Sequence, residues 1–189
     1  MIVMFLLVLW FNYCYISSIL VTYNLSLFLQ HVDIIFHYLR KKFYYHRDLY
    51  KLKCSTTDTT FDVELVGAYN AWEKGEFQSL DYKTDPLELL KNVICGVGFR
   101  CGISWDIAYV VLMSCHLEKK NEDSVSTHFF LLAYHISLNE LWVFDGYFLK
   151  YDKRIYTHVK KYKTMLPIFL KMLKAVSYTH LTLPTIYSV

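Results

Sequence analysis

The sequence has few of the residues that interrupt secondary structure, and little net charge. It contains six glycines and three prolines among 189 residues, which favours an architecture with helices over a loop-rich or many-stranded all-β one. The net charge is +3, with only 20% charged residues, and it is too evenly spread to predict a nucleic-acid partner. Hydrophobic residues make up 54% of the chain and aromatic residues 18%, which excludes disorder and supplies a core.

Cysteine is too scattered to define a disulfide framework. The five cysteines are an odd number and include no CxxC pair, unlike the cysteines of small disulfide-stapled domains. Cys95, Cys101 and Cys115, with His116, are separated by six and fourteen residues. Structural zinc sites use closer ligand pairs. The sequence therefore predicts no metal site and no other cofactor.

Acidic and basic residues are absent from residues 1–32. The opening run MIVMFLLVLWFNYCYISSILV is about long enough to cross a bilayer core, and it is too long and aromatic for a signal-peptide core. The first basic cluster begins at Arg40 and favours a cytoplasmic C-terminal side. A transmembrane helix, a buried helix and translated upstream sequence all fit this segment, and the expected location is either membrane-associated or cytoplasmic. We expect a helix over most of residues 2–29, with few contacts to the domain.

Composition divides the rest of the chain into three parts. Residues 33–60 begin with an aromatic-basic stretch, which suits a membrane surface or packing on a domain. They end with the polar segment CSTTDTT, which is predicted to be a linker. Residues 61–176 are predicted to form a small α+β domain. Residues 177–189, SYTHLTLPTIYSV, resemble a translated sequencing adapter and are predicted to be artefactual. An ordinary β-prone tail is the alternative.

Three helices are predicted within residues 61–176. A short helix begins at Pro86, because proline is favoured at the first helical position. Residues 105–117 are apolar on nearly every side, which predicts a buried central helix with Ser104 at its N-terminus. Residues 162–174 have apolar side chains at helical spacing.

A small antiparallel sheet is predicted beside the central helix. Residues 127–136 are rich in Phe, Leu and Tyr and predict a buried strand. Asn139 and Glu140 mark a turn into a second strand over residues 141–145. Residues 147–151 are predicted as a third strand. The predicted fold class is therefore α+β, with a central buried helix packed on a small antiparallel sheet.

Three polar residues occur in an order that suits nucleophilic catalysis. Ser104 is predicted at a helix N-terminus, where free N–H groups and the helix dipole stabilise an anion. His128, on a strand, could accept its proton, and Asp145, on the next strand, could orient the imidazole. Taken singly, each of the three is explained better as a helix cap, an edge histidine or a turn residue. Taken together in this order, the catalytic explanation is about as good.

The motifs around these residues resemble those of papain-like and transglutaminase-like proteins. The run CGISW (residues 101–105) is similar to the papain-type C-G-x-C-W. The runs GISWD, TH and WVFD are similar to the G-V-C-W-D, T-H and W-F-E of compact transglutaminase-like proteins. This resemblance covers residues 85–173. It implies a peptide or protein substrate and hydrolysis or acyl transfer, with Ser104, His128 and Asp145 as the catalytic residues.

Serine at position 104 departs from that pattern, in which cysteine is the nucleophile. A thiol is partly ionised near neutral pH, whereas a hydroxyl needs a base acting in the transition state. The resemblance leaves three alternatives: a non-catalytic relative first, then a serine-using enzyme, then a rearranged site that uses Cys101. If the resemblance holds, Ser104→Cys should create or raise activity. A non-enzymatic, membrane-associated interaction protein is the alternative from another functional class.

Overall fold

The computed structural model describes residues 25–46, 53–76, 86–97, 102–120, 125–145, 153–172 and 186–188. Within these ranges the elements are α1 (Leu25–Tyr45), β1 (Cys54–Thr56), α2 (Thr59–Glu73), α3 (Pro86–Ile94), β2 (Val110–Lys120), β3 (Val125–His135), β4 (Glu140–Asp145), α4 (Lys153–Met172) and β5 (Ile186–Ser188). The predicted α+β class is confirmed. The strand predicted over residues 147–151 lies outside the described residues.

The strands form one mixed sheet in the order β1-β2-β3-β4-β5. β2, β3 and β4 are antiparallel, whereas β1 is parallel to β2 and β5 is parallel to β4. The predicted strand pair and its turn are therefore confirmed. Asn139 adopts a φ of 54° in that turn, and its Oδ1 accepts a hydrogen bond of 2.8 Å from the Tyr134 hydroxyl. Asparagine tolerates this left-handed conformation better than most residues do.

Helices cover both faces of the sheet, because successive strand residues point to opposite sides. Helices α2, α3 and α4 cover one face; its buried residues include Phe61, Leu65, Leu90, Ile94, Val111, Met113, Phe130, Leu132, Tyr162 and Met165. Helix α1 covers the other face, where the buried residues are Val32, Phe36, Val110, Leu112, Phe129, Leu131, Ala133 and Phe144. The core is thus two apolar layers on either side of one sheet.

The predicted central helix over residues 105–117 is wrong. Residues 105–107 form a turn and residues 110–120 form β2, which pairs with β3 along all eleven residues. A strand that is covered on both faces has a continuous apolar run and loses the alternation that marks a half-buried strand. Such a run has the same pattern as a buried helix. The predicted transglutaminase-like arrangement, with a central helix starting at Ser104, is therefore absent from the described residues.

The polar segment that was predicted as a linker is part of the packed structure. Its residues Ser55, Thr56, Thr57, Asp58 and Thr59 are buried. Asp58 caps α2 by accepting a hydrogen bond from the Phe61 backbone N–H at 3.1 Å. Asp33 of α1 accepts from the backbone nitrogen and the hydroxyl of Thr59 at 2.8 and 2.9 Å. Short polar side chains are suited to helix starts because they satisfy the free N–H groups there.

The two flanking helices were predicted better. Helix α3 begins at Pro86, as predicted, and it ends before Gly96, whose φ of +71° suits glycine. Helix α4 is confirmed, but it begins at Lys153 rather than at residue 162. The first half of α4 is mostly polar. Its two buried apolar residues, Ile155 and Val159, are too few to show a helical pattern in the sequence.

Helix α1 crosses the predicted boundary between residues 32 and 33. Residues 1–24, and with them most of the predicted apolar helix, lie outside the described residues. Leu29, Val32 and Phe36 of α1 pack against the sheet. Only Leu29 belongs to the predicted helix over residues 2–29, so the expectation of few contacts stays a prediction for the rest of that segment. Among the described residues, no helix is both long enough and apolar enough to cross a bilayer.

Candidate functional site

The structure brings two of the predicted site residues together. The His128 Nε2 atom is 2.9 Å from the Asp145 Oδ1 atom, and the two side chains are 21% and 20% exposed. Phe130 pairs with Asp145 across β3 and β4, and His128 is two residues before Phe130. The two side chains therefore lie on the same face of the sheet as diagonal neighbours. Their catalytic roles stay predictions.

Ser104 lies near the opposite end of the same sheet. Its Oγ is 3.5 Å from the Ile94 carbonyl oxygen, at the end of α3. The carbonyl oxygen of the preceding Ile103 accepts a hydrogen bond of 2.7 Å from Ser55, whose backbone pairs with Val111 near the start of β2.

The partner of His128 on β2 is Leu117, six residues beyond Val111. At about 3.3 Å per strand residue, roughly 20 Å separates the level of Ser104 from that of His128. The structure therefore does not bring Ser104 to His128, and Ser104 begins no helix. Cys101, the alternative nucleophile, lies outside the described residues.

A second polar cluster, which the sequence analysis missed, is centred on Asp62. Its Oδ1 is 2.6 Å from the Nε2 of His158 and accepts a 2.8 Å hydrogen bond from the Tyr162 hydroxyl. Its Oδ2 accepts a 3.1 Å hydrogen bond from the His116 backbone nitrogen and is 3.0 Å from the Nδ1 of that ring. Asp62 is 1% exposed. Four polar groups thus surround one buried carboxylate.

The position of this cluster follows from the edge of the sheet. β1 pairs with only the first three residues of β2, so the backbone of β2 needs another partner beyond that point. Asp62, in the first turn of α2, is that partner, because its carboxylate accepts a hydrogen bond from the backbone nitrogen of His116. A helix N-terminus also favours a carboxylate. His158 and Tyr162 are four residues apart on α4, a spacing that places them on one helix face.

The cluster holds Asp62 ionised and Cys115 protonated. Burial raises the pKa of Asp62, but the hydrogen bonds and charges of His116 and His158 outweigh it and hold that pKa well below its usual range. Burial and the Asp62 charge raise the pKa of the Cys115 thiol well above its usual value. The pKa of Tyr162 is raised for the same two reasons. Cys115 is therefore not an activated nucleophile, since activation requires a thiolate.

Phe130 separates the two polar clusters. It pairs with Cys115 on one side and with Asp145 on the other, so the three side chains share one row on one face. The His158 ring meets Phe130 edge-on, with ring centroids 5.5 Å apart. The Asp62 cluster is buried beside this phenylalanine, while the His128–Asp145 pair is partly exposed beyond it.

Sequence reasoning missed the Asp62 cluster because its partners are remote in the chain. His158 lies 96 residues and Tyr162 lies 100 residues from Asp62. Within α4, His158-x-x-x-Tyr162 was the one local signal, and by itself it indicates only a shared helix face. Among the described residues, Asp62, Cys115 and His158 form a group whose side-chain types could hold a metal ion.

No family model, curated protein or solved structure matches this chain. The family resemblance therefore rests on the short sequence motifs alone.

Proposed function

We propose that this chain is a non-catalytic relative of the transglutaminase-like and papain-like proteins, which binds a peptide or protein segment at the His128–Asp145 pair. The observation that supports this is the 2.9 Å contact between these two partly exposed side chains on neighbouring antiparallel strands. Asp145 engages Nε2 of the imidazole, so the carboxylate sets the ring orientation and tautomer. An imidazole held in this way can form a hydrogen bond with an amide group.

Covalent chemistry requires a nucleophile within about 3 Å of the group that activates it. Ser104 is separated from His128 by several strand residues. Cys115 is buried, and its raised pKa keeps the thiol protonated. Ser104 is therefore too far from an activating group, and Cys115 is not in the thiolate form that attack requires. This favours the non-catalytic alternative over the serine-using enzyme.

Ser104→Cys is now expected to give no gain of amide hydrolysis or amine transfer. A thiol at position 104 would lie on the order of 20 Å from His128 along β2, so no imidazole would raise its reactivity. The measurement is labelling by a thiol-directed electrophile at neutral pH, read site by site after proteolysis. Val63→Cys, at an exposed position of α2, gives the reference reactivity of an unassisted thiol. Labelling at position 104 that exceeds this reference and is abolished by His128→Ala would contradict the proposal. So would His128-dependent labelling of Cys101.

Binding is tested with a random-sequence peptide array. The His128→Ala and Asp145→Asn variants are expected to lose the peptides that the unmodified chain retains. His135→Ala is the matched control, because His135 lies at the opposite end of the same strand, and it should keep them. An unmodified chain that retains no peptide above background would contradict peptide binding.

The surface of α1 favours a second candidate function, a non-enzymatic interaction protein at a membrane. Val32 and Phe36 are buried against the sheet, whereas Ile34, Tyr38 and Tyr45 are 50%, 65% and 70% exposed. Exposed lysines lie among these aromatic residues. The uncharged segment that precedes Leu25 would bring this helix to a bilayer. Aromatic and basic side chains on one helix suit the interface of anionic lipid.

Replacing Tyr38 and Lys41 together by serine is expected to weaken the part of vesicle binding that depends on phosphatidylserine by about fivefold. One lysine near an anionic surface contributes about 1 kcal/mol, and salt screens that contribution. Flotation with phosphatidylcholine vesicles, with and without phosphatidylserine, distinguishes the binding that depends on phosphatidylserine from the binding that comes from apolar insertion. The control replaces Tyr156 and Lys160, an exposed pair on α4. Equal losses in the two double variants would rule out α1 as the contact surface.

A further inference from the structure

We propose that Asp62, Cys115 and His158 bind a transition-metal dication, with zinc as the preferred ion. One carboxylate oxygen, the Cys115 Sγ and one imidazole nitrogen lie within 4.8 Å of one another, and all three residues are buried. The ligands come from α2, β2 and α4, so the core itself holds them in place. The proposal uses neither the His128–Asp145 pair nor the surface of α1.

The three ligand types suit zinc. Zn²⁺ is a borderline-soft ion that takes thiolate, imidazole and carboxylate ligands in tetrahedral sites, with bonds of about 2.0–2.3 Å. Ligand atoms in such a site are roughly 3.3–3.8 Å apart. The three ligand atoms lie up to 4.8 Å apart in the structure, so they would have to move only slightly closer together to bind the ion. The Asp62–His158 contact of 2.6 Å would lengthen as both groups turn toward the metal.

The surrounding groups already hold these ligands in one orientation. The backbone nitrogen and the ring of His116 occupy the Asp62 Oδ2 atom, while the Oδ1 atom faces His158. The ring of His158 packs against Phe130 and Tyr162, with centroid distances of 5.5 and 5.7 Å. Natural metal sites use such outer groups to orient the ligating side chains. A site built in this way loses little entropy when the ion enters.

Charge also favours a dication. Binding would release the Cys115 proton to solvent, leaving one thiolate and one carboxylate around an ion of charge +2. The three charges then cancel inside the core. An isolated buried carboxylate is costly unless it is compensated by charge or hydrogen bonds. A metal-free network of hydrogen bonds is the competing explanation for the cluster.

The test is made on the full chain after treatment with a chelator. The chain is mixed with ZnCl₂, excess metal is removed, and metal content is measured by mass spectrometry. We expect about one zinc ion per chain. Cys115→Ser should weaken zinc affinity by more than about 100-fold, since changes to merely supporting groups already cost 10- to 100-fold. Cys54→Ser, at a half-buried thiol on β1, is the matched control and should keep the ion.

Cobalt provides a readout that does not depend on stability. Co²⁺ bound to the unmodified chain should show a thiolate-to-cobalt absorption band, retained in Cys54→Ser and Cys95→Ser and lost in Cys115→Ser. If Cys115→Ser does not fold, the unmodified chain still decides, because a cobalt spectrum without a thiolate band overturns the proposal. Absence of retained zinc in the unmodified chain overturns it too. So does a spectrum that Cys115→Ser leaves unchanged in a folded protein.

Discussion

Replacing Asp62 with asparagine is expected to lower the free energy of unfolding by about 3–5 kcal/mol, the range found when one partner of a buried charged network is removed. The carboxylate has contacts with His116, His158 and Tyr162 at 2.6–3.1 Å. An amide provides one oxygen where the carboxylate provides two, and its NH₂ group would face existing donors. Urea unfolding of chelator-treated protein measures the loss without any contribution from metal.

Glu64→Gln is the control for this substitution. It makes the same chemical change two residues along α2, at a half-buried position, and it should cost less than about 0.5 kcal/mol. Similar losses in the two variants would contradict the central role of Asp62. A loss confined to Asp62→Asn would show that the buried network, rather than negative charge on α2, stabilises the fold.

Acid should remove much of the Asp62 contribution. The folded-state pKa of Asp62 is depressed, so its stabilisation is fully present above the unfolded pKa of about 3.9 and is lost as pH falls through the folded value. The stability difference between the unmodified chain and Asp62→Asn should therefore narrow as the pH is lowered below about 4. A difference that stays constant from pH 7 to pH 3 would mean that the carboxylate acts through its shape alone.

The parts of the fold that could be predicted are those whose signals are local. Pro86 marked the start of α3, and the turn at Asn139 marked the boundary between two strands, because each depends on the chemistry of one or two residues. The contact between His128 and Asp145 could be predicted because its signal is local too. They lie on consecutive strands that are joined by a tight turn.

The parts that could not be predicted depend on partners that are distant in the chain. β2 was mistaken for a helix because both of its faces are covered, by α1 on one side and by the other helices on the opposite side. The buried polar segment before α2 was mistaken for a linker because its hydrogen-bond partners include Asp33, Arg40 and Ile103. Ser104 was misplaced as a direct result, since its predicted role required the helix that is in fact β2.

Replacing Gly96 with alanine is expected to destabilise the protein by about 1–3 kcal/mol more than the same change at Gly75. Both glycines have left-handed backbones, with φ of +71° and +77°, so both substitutions carry a strain of about 1–2 kcal/mol. A Cβ at Gly75 would meet nothing within 4 Å, whereas at Gly96 it would lie 2.6 Å from the Ser104 nitrogen. That neighbour is backbone, so no side-chain rotation can relieve the overlap.

The extra loss at Gly96 would come from displacing the segment that carries Ser104 and Trp105. The Trp105 nitrogen donates a 3.0 Å hydrogen bond to the Ile94 carbonyl oxygen, and its indole is fully buried against Phe61. Moving this segment would weaken both contacts, and overpacking of this kind costs about 1–3 kcal/mol. Urea unfolding of the two alanine variants measures the difference. Equal losses would show that residues 102–105 do not pack on the end of α3. The hydrogen bond from Ser55 to the Ile103 carbonyl oxygen would then be the contact that holds Ser104 far from His128.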